Sequence, residues 1–236
     1  MDRLIDISSS EYNKLFKLNV ESSEGELRRY NNNELIKRYN NPDDYDLEKL
    51  EYLIFNYGSK LKTKMPLAPV YIDEQFSGAL LKNFNNSYPF GALKNIKNLS
   101  VKISKLRVLM SRLIELAKNN LYTTDLHSFN VLLTGNNLDV QIIDVDRNGL
   151  EITKQFNKKL YDYMTYEYNK LILEVLFDEY SPIFDHSIKR TIKILELYKI
   201  KNYYIDHIIK RKTNFKFSKD FLEYIEKDVK TLNLKY

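Results

Sequence analysis

Alternating apolar and polar positions in the first third of the chain predict β-strands. The alternation covers residues 12–20 and 26–39, and two turn-forming segments interrupt it: Glu-Ser-Ser-Glu-Gly at 21–25 and Asn-Asn-Asn at 31–33. Because successive side chains of a strand point to opposite faces, each segment can cover a core with one face. The pattern therefore predicts three strands at the start of the chain.

A helix and two more strands are predicted next. The helix starts at Pro42-Asp43-Asp44, and apolar residues then recur at helical spacing until Gly58. After two prolines, short apolar runs at 70–72 and 78–81 predict strands with a turn between them. The predicted order is strand, strand, strand, helix, strand, strand.

The pattern changes after residue 88, where helical periodicity takes over. Residues 101–117 place five apolar side chains on one helical stripe: Ile103, Leu106, Leu109, Leu113 and Leu116. Apolar runs at 131–133 and 140–143 flank Gly135-Asn136-Asn137 and predict a hairpin. From about residue 156 the periodicity is helical to the end, so this part of the chain is predicted to be mainly helical.

Composition limits the chemistry that is available. The chain has 236 residues, of which 43% are hydrophobic, enough for a core in one domain or two small lobes. It has no cysteine, which excludes disulfides, thiolate nucleophiles and cysteine zinc sites. The N-terminus lacks the apolar segment of a secretory signal, and the most apolar later stretch, 171–177, is short and contains Glu174. We therefore expect a cytoplasmic protein with no membrane span.

The charge is positive but spread out. The formal net charge is +5, and the densest basic run consists of Lys210, Arg211, Lys212 and Lys216. A nucleic-acid-binding protein would use such a run and would bind DNA or RNA with a steep dependence on salt. A solvated helix face in a lysine-rich chain also accounts for the run, so we do not expect a nucleic-acid partner.

An Asp, an Asn five residues later and a second Asp after two apolar runs form the most informative pattern. They are Asp125 at the start of Asp-Leu-His-Ser-Phe-Asn, Asn130 at its end, and Asp144 in Ile-Ile-Asp. In phosphoryl transfer, one carboxylate orients or deprotonates a hydroxyl, while an amide oxygen and a second carboxylate hold Mg²⁺ on nucleotide phosphates. Asp and Asn also favour turns that follow helices, but that alternative leaves the ordered apolar runs unexplained.

In these residues and in its order of elements, the chain resembles the protein kinase-like superfamily over roughly residues 12–180. The resemblance implies an α+β, two-lobed protein kinase-like fold, with a small β-rich N-lobe containing one helix at 1–82 and a mainly helical C-lobe at 83–236. It also implies an ATP-dependent kinase that transfers the γ-phosphate to a hydroxyl acceptor with Mg²⁺. The implied partners are ATP and a hydroxyl-bearing acceptor, either a protein or a small molecule.

The resemblance assigns roles to individual residues. Asp125 matches the catalytic Asp of the family, Asn130 its metal-binding Asn, and Asp144 its metal-binding Asp. Lys37, in Glu-Leu-Ile-Lys, matches the third-strand lysine that contacts the α- and β-phosphates. Asp125, Lys37 and Asn130 are thereby implied as catalytic residues, and Asn130 and Asp144 as the ligands of Mg²⁺.

Further residues are implied around the nucleotide. Glu51 on the first helix matches the ion-pair partner of Lys37, and Glu48 one turn earlier is the alternative. Gly25 belongs to the turn that would cover the phosphates. Leu81-Lys82-Asn83 falls at the hinge that would receive adenine.

Several positions depart from the family pattern. Thr123 stands where a His commonly precedes the catalytic Asp, Val145-Asp146 replaces Phe-Gly, and Gly25 is single where the family often has three glycines. These departures keep open a pseudokinase, a weak or inactive nucleotide-binding or scaffolding module, and a secondary metal role for Asp146. His127 is typical of small-molecule phosphotransferases of this superfamily and favours a small-molecule acceptor.

Overall fold

The computed structural model describes residues 3–19, 24–58, 60–145 and 149–177. The strands are β1 Ile5–Ile7, β2 Phe16–Lys17, β3 Gly25–Asn31, β4 Glu34–Tyr39, β5 Ala68–Ile72, β6 Gln75–Lys82, β7 Ser87–Pro89, β8 Leu121–Thr123, β9 Val131–Thr134, β10 Asp139–Ile142 and β11 Leu150–Ile152. The α-helices are α1 Ser9–Lys14, α2 Leu47–Tyr57, α3 Leu99–Lys118 and α4 Lys158–Phe177, and short 3₁₀ helices cover Pro42–Asp44 and Phe90–Asn95.

A six-stranded sheet forms the first part of the molecule. Its order is β1-β5-β6-β4-β3-β2, and neighbouring strands are antiparallel except β1, which is parallel to β5. One face buries a cluster of apolar side chains that includes Tyr12 of α1: Ile5, Tyr12, Ile36, Ala68, Val70, Ile72 and Leu80. On the opposite face, α2 packs through Leu50 against Tyr39 and Ala79. The sheet is therefore covered on both faces.

Strand β4 is approached very closely by both of its neighbours. A Cβ on Gly25 of β3 would collide with the carbonyl oxygen of Arg38, and a Cβ on Gly78 of β6 would collide with that of Lys37. Only glycine allows backbones to approach in this way. The strand is thus held from both sides at the position of Lys37.

Helices α3 and α4 and two small sheets form the second part. The sheets have the orders β10-β9-β7 and β11-β8. A common core joins these elements and includes the following residues: Leu106, Leu109, Leu113, Leu133, Val140 and Leu171. Helix α3 ends at Lys118, Asn120 has a left-handed φ of 60°, and β8 starts at the next residue. The segment that follows β8 is therefore anchored by a buried strand.

The mixed α and β class predicted from the sequence is confirmed. The predicted helices at 42–58 and 101–117 correspond to α2 and α3, and the predicted hairpin corresponds to β9 and β10. The predicted helix start at Pro42 is wrong, because Pro42–Asp44 is a separate 3₁₀ helix and α2 starts at Leu47, where the Asp46 side chain accepts from the Lys49 N–H. The predicted strands at 70–72 and 78–81 are parts of β5 and β6.

The strand predicted over residues 12–20 is wrong for its first part, because Ser9–Lys14 is a helix. The Ser8 side chain accepts from the Glu11 backbone N–H, and the Glu11 carboxylate accepts from the Ser8 N–H at 2.8 Å. This reciprocal capping starts a helix that an alternating pattern does not predict. Within that segment the described strand is only Phe16–Lys17.

The helical periodicity predicted from residue 156 corresponds to α4 as far as Phe177. The rest of it, with the basic run at 210–216, and Asp146 lie outside the described residues. Within the four described ranges, no helix combines the length and apolar character needed to cross a membrane. The boundary between lobes at residues 82 and 83 stays a prediction.

Candidate active site

The loop after β8 carries Asp125 and is closed by Asn130. The Asn130 side-chain amide donates to the Asp125 carboxylate at 2.9 Å and to the Asp125 carbonyl at 3.0 Å. The Asn130 backbone N–H donates to the His127 carbonyl at 3.0 Å. Leu126 is buried in the core, whereas the Asp125 side chain is 58% exposed. Asp125 is therefore held in one orientation and remains accessible to a substrate.

Asp144 belongs to a segment that lies directly against this loop. Ile143, the residue before it, donates its N–H to the Asn130 carbonyl at 2.9 Å. Strand β10 ends at Ile142, and Asp144 has a left-handed φ of 60°, so the chain turns sharply out of the strand there. Such backbone is uncommon outside glycine, and Asp is among the residues that adopt it most readily. Asn130 and Asp144, the two predicted metal ligands, are thus on adjacent segments.

Lys37 reaches the same place from β4. Its side chain is 6% exposed, and its Nζ lies 2.5 Å from Oδ1 of Asp144 and 2.9 Å from Oε2 of Glu24. The neighbouring Ile36 packs into the core on the other face of the sheet, which fixes the direction of the lysine side chain. A buried ammonium requires such partners, because an isolated buried charge is costly. Two predicted site residues, Lys37 and Asp144, are therefore in direct contact.

Glu24 is a site residue that the sequence analysis missed. Its carbonyl accepts from the Asn40 N–H at 3.0 Å and from the Tyr45 hydroxyl at 3.4 Å. Its carboxylate then extends to Lys37, although Lys37 is paired in the ladder with Leu27. Since the contact runs obliquely across the hairpin, strand register alone does not predict it.

The glutamates of α2 occupy a different position from the one the sequence predicts. Neither Glu48 nor Glu51 forms an ion pair with any other residue in the described ranges. Helix α2 buries Leu50 and Leu53, and Glu51 is only partly covered. The structure therefore does not bring the predicted partner Glu51 to Lys37.

Gly149 connects the two acidic segments and was also missed. A Cβ on this glycine would lie 2.5 Å from the Asp144 carbonyl oxygen and 3.9 Å from Cβ of Asp125. Its own carbonyl accepts from the Thr124 N–H at 3.0 Å. The space available to this residue therefore sets how closely the segments of Asp125 and Asp144 approach. The sequence carried no signal for this role beyond the presence of a glycine after Asp144.

His127 lies beside the Asp125 carboxylate. Its Nδ1 accepts from the Phe129 N–H at 3.2 Å, and its Nε2 lies 3.6 Å from Oδ2 of Asp125. A neutral imidazole that accepts through Nδ1 carries its proton on Nε2. The loop backbone therefore fixes the tautomer that directs an N–H toward Asp125.

Tyr163 of helix α4 lies near enough to Asp125 for the Asp125 charge to act on its phenol. Burial raises the pKa of the Tyr163 phenol, and the negative charges of Glu167 and, more weakly, Asp125 raise it further, whereas the charge of Lys170 lowers it. The Tyr163 side chain is nevertheless 43% exposed.

The predicted hinge residues lie at the end of β6. Leu81 pairs with Leu35 and Lys82 with Glu34, and the Asn83 N–H donates to the Asn33 carbonyl at 2.8 Å. These contacts fix the strand end to the turn between β3 and β4. Adenine binding at Leu81-Lys82-Asn83 stays a prediction. Gly25, predicted for the phosphate-covering turn, is the first residue of β3 and directly follows Glu24.

The donor atoms of the site suit Mg²⁺. The Asn130 amide nitrogen is engaged by Asp125, which leaves the amide oxygen for a cation, and Asp144 contributes a carboxylate. Across the described ranges, no three His, Cys, Asp or Glu side chains form a group that could hold a metal ion. Mg²⁺ usually binds through one or two carboxylates together with substrate phosphates. The residues therefore fit an ion that arrives with a nucleotide.

The sequence was compared with protein-family models and with curated proteins. No protein-family model matches the sequence, and none of the curated proteins matches it either. The functional argument therefore depends on the chain itself.

Proposed function

We propose that this protein is an ATP-dependent kinase of the protein kinase-like superfamily that transfers the γ-phosphate to a hydroxyl acceptor. The observation that supports this most strongly is the contact between Lys37 of the sheet and Asp144 of the second part, next to the Asp125–Asn130 loop. In this proposal the fold is two-lobed, with the nucleotide between the lobes at 1–82 and 83–236.

Each residue has a distinct task in the proposed reaction. Lys37 binds the α- and β-phosphates, and Asn130 and Asp144 hold Mg²⁺ through their side-chain oxygens. The bound ion would neutralise negative charge on the phosphates. Asp125 orients the acceptor hydroxyl for in-line attack and accepts its proton. The hydrogen bonds from Asn130 keep the Asp125 carboxylate in place throughout.

The surroundings of Asp125 support an acceptor that is a small molecule. The carboxylate is exposed beside the exposed rings of His127, Phe129 and Tyr163. Such rings provide flat apolar contacts to a small hydroxyl compound. A hydroxyl of a protein side chain remains the alternative acceptor.

A pseudokinase is the second candidate. Thr123 is buried in β8 where the family commonly has a His. A protein of this kind would bind nucleotide without transferring phosphate.

The decisive experiment uses γ-labelled ATP with Mg²⁺, protein extract and a panel of hydroxyl-bearing metabolites. We expect Asp125→Ala to lower transfer at least about a hundredfold and to leave ATP binding nearly unchanged. Asp144→Ala should lose Mg²⁺-dependent nucleotide binding as well. Asp139→Ala, at an exposed hairpin position, serves as the control. Full activity in both site variants contradicts the proposal, and nucleotide binding without transfer by the unaltered protein supports the pseudokinase.

A further inference from the structure

We infer that Glu24 is the positioning residue for Lys37, in the role that the sequence assigns to Glu51. The carboxylate of Glu24 accepts from the Lys37 ammonium at 2.9 Å, and the Lys37 side chain is 6% exposed. A hydrogen-bonded ion pair of this kind is stronger and more directional than a neutral hydrogen bond. Its consequence for nucleotide binding rests on the proposed function, whereas the positioning itself does not.

The backbone around Glu24 is fixed independently of the ion pair. The Glu24 carbonyl accepts from the N–H of Asn40 and from the hydroxyl of Tyr45, and the ring of Tyr45 stacks on Tyr39 with 3.5 Å between centroids. Gly25 then packs against the Arg38 carbonyl with no room for a Cβ. The carboxylate of Glu24 therefore starts from a rigid anchor, as a positioning group must.

The two carboxylates at Lys37 have different origins. Asp144 belongs to the segment proposed to bind Mg²⁺, so it must turn toward the ion when nucleotide arrives. Glu24 directly precedes β3, the strand next to that of Lys37, and the proposed site does not use it to bind the ion. An ammonium has three N–H donors, so it can keep a bond to Glu24 while it donates to phosphate oxygens. Glu24 thus holds the side chain of Lys37 extended in both states.

The helix glutamates cannot perform this task in the described arrangement. Neither Glu48 nor Glu51 forms an ion pair within the described ranges. Helix α2 faces the sheet through Leu50, whereas Leu53 packs in the core of the second part. Glu24 replaces a partner on a separate helix with one that directly precedes the neighbouring strand β3. The position of Lys37 is then independent of any movement of α2.

The first test measures the reactivity of the Lys37 amine in full-length protein without nucleotide. An amine-acylating reagent is applied, and the modified Lys37 peptide is quantified by mass spectrometry. Without the Glu24 carboxylate, the Lys37 ammonium is no longer held in its buried position and meets the reagent more often, so Glu24→Gln should raise the rate about tenfold. Glu24→Asp keeps the charge and should give a rate closer to that of the unaltered protein.

Two matched variants complete this test. Glu51→Gln should react at the rate of the unaltered protein, and so should Glu34→Gln, which removes the ion pair with Arg3 at the start of the same strand. A faster reaction in Glu51→Gln with no change in Glu24→Gln would overturn the inference.

The second test measures binding of Mg-ATP and of adenosine by the same variants. Glu24→Gln should weaken Mg-ATP about tenfold and leave adenosine unchanged, because only the phosphates contact Lys37. A Glu24→Gln protein with normal Lys37 reactivity and normal Mg-ATP affinity refutes the role of Glu24 while leaving the kinase proposal intact. Faster acylation in Glu24→Gln together with no ATP binding by the unaltered protein refutes the kinase proposal and supports the positioning role.

Discussion

The ammonium of Lys37 and the carboxylate of Asp144 lie 2.5 Å apart, although 107 positions separate them in the chain. One belongs to the central part of the six-stranded sheet, and the other follows the β9–β10 hairpin of the second part. In the proposed kinase, the bound nucleotide would separate this ion pair. Lys37 would then contact the phosphates, and Asp144 would contact Mg²⁺.

The competition for Lys37 leads to a prediction about metal dependence. Asp144→Asn removes the metal ligand but also releases Lys37 from one carboxylate. We therefore expect its affinity for ATP to fall about tenfold with Mg²⁺, and to equal or exceed that of the unaltered protein in chelator. Lys37→Met should bind ATP more weakly under both conditions. Isothermal titration measures the affinity of the unaltered protein and of both variants under each condition, and unchanged Mg²⁺ dependence in Asp144→Asn would contradict the proposed metal role.

Gly149 gives a second prediction. Gly149→Ala places a methyl group 2.5 Å from the Asp144 carbonyl oxygen, so the backbone at Asp144 must shift. We expect the free energy of unfolding to fall by about 1–3 kcal/mol and the rate of phosphate transfer to fall about tenfold or more. Gly135→Ala is the control, because it strains a left-handed turn with φ of 63° but meets no atom within 4 Å. This variant should lose about 1 kcal/mol in the free energy of unfolding and keep full transfer activity.

Denaturation of both variants in urea, with transfer assayed in parallel, separates stability from geometry. The expected result is a similar loss of stability with different activity. Equal activity in Gly149→Ala and Gly135→Ala would show that the spacing at Gly149 does not matter for the reaction.

The pH dependence of stability provides a third prediction. Hydrogen bonds from Lys17, and then from Arg28 and Tyr12, lower the pKa of Glu26 to about 2 from its ordinary value near 4.5. A carboxylate whose pKa is lowered by folding stabilises the folded state at pH values above its ordinary pKa. This contribution is lost as the pH falls through the pKa of the folded state. Glu26→Gln should therefore be less stable than the unaltered protein at neutral pH. The difference should shrink between about pH 4.5 and about pH 2.

Thermal or urea unfolding across that pH range measures the difference directly. A constant difference between the two proteins from neutral to acidic pH would mean that the charge of Glu26 contributes nothing to stability.

Lys102 gives a fourth prediction, which concerns the second part alone. Its side chain is buried, and its Nζ donates to the carbonyls of Lys94 at 2.9 Å and Val175 at 3.3 Å. Lys102→Met keeps the length of the side chain but leaves these carbonyls without this donor, at a cost of about 1–3 kcal/mol. Lys118→Met, at the exposed last residue of α3, should change stability by less than about 0.5 kcal/mol. Equal stability of the two variants would contradict a structural role for Lys102.

Helices and hairpins with strong periodicity were the most predictable parts of the fold. Helix α3 has a long apolar stripe, and the β9–β10 hairpin has an Asn-rich turn between two apolar runs. In both elements the local sequence pattern agrees with the tertiary packing. Helix α1 and strand β1 were not predicted, because α1 depends on the capping by Ser8 and Glu11, and β1 has three residues and pairs with a distant strand.

The candidate site was predictable in its residue types and only partly in its contacts. The spacing of Asp125, Asn130 and Asp144 indicated a phosphoryl-transfer site. The position of Lys37 before the first predicted helix indicated that it belongs to the same site. Glu24 and Gly149 were missed, because one contact crosses a hairpin obliquely and the other depends on the packing of two loops. Contacts of this kind are set by three-dimensional approach, which a sequence pattern does not encode.

Strand β1 has a consequence for the behaviour of shortened versions of the chain. It pairs in parallel with β5 and covers a strand whose residues Val70 and Ile72 are buried. Removing residues 3–15 would uncover the hydrogen-bonding edge of β5 along with the apolar surface beneath α1. An exposed edge of this type recruits strands from other molecules, so a trimmed protein should self-associate where the longer one stays dispersed.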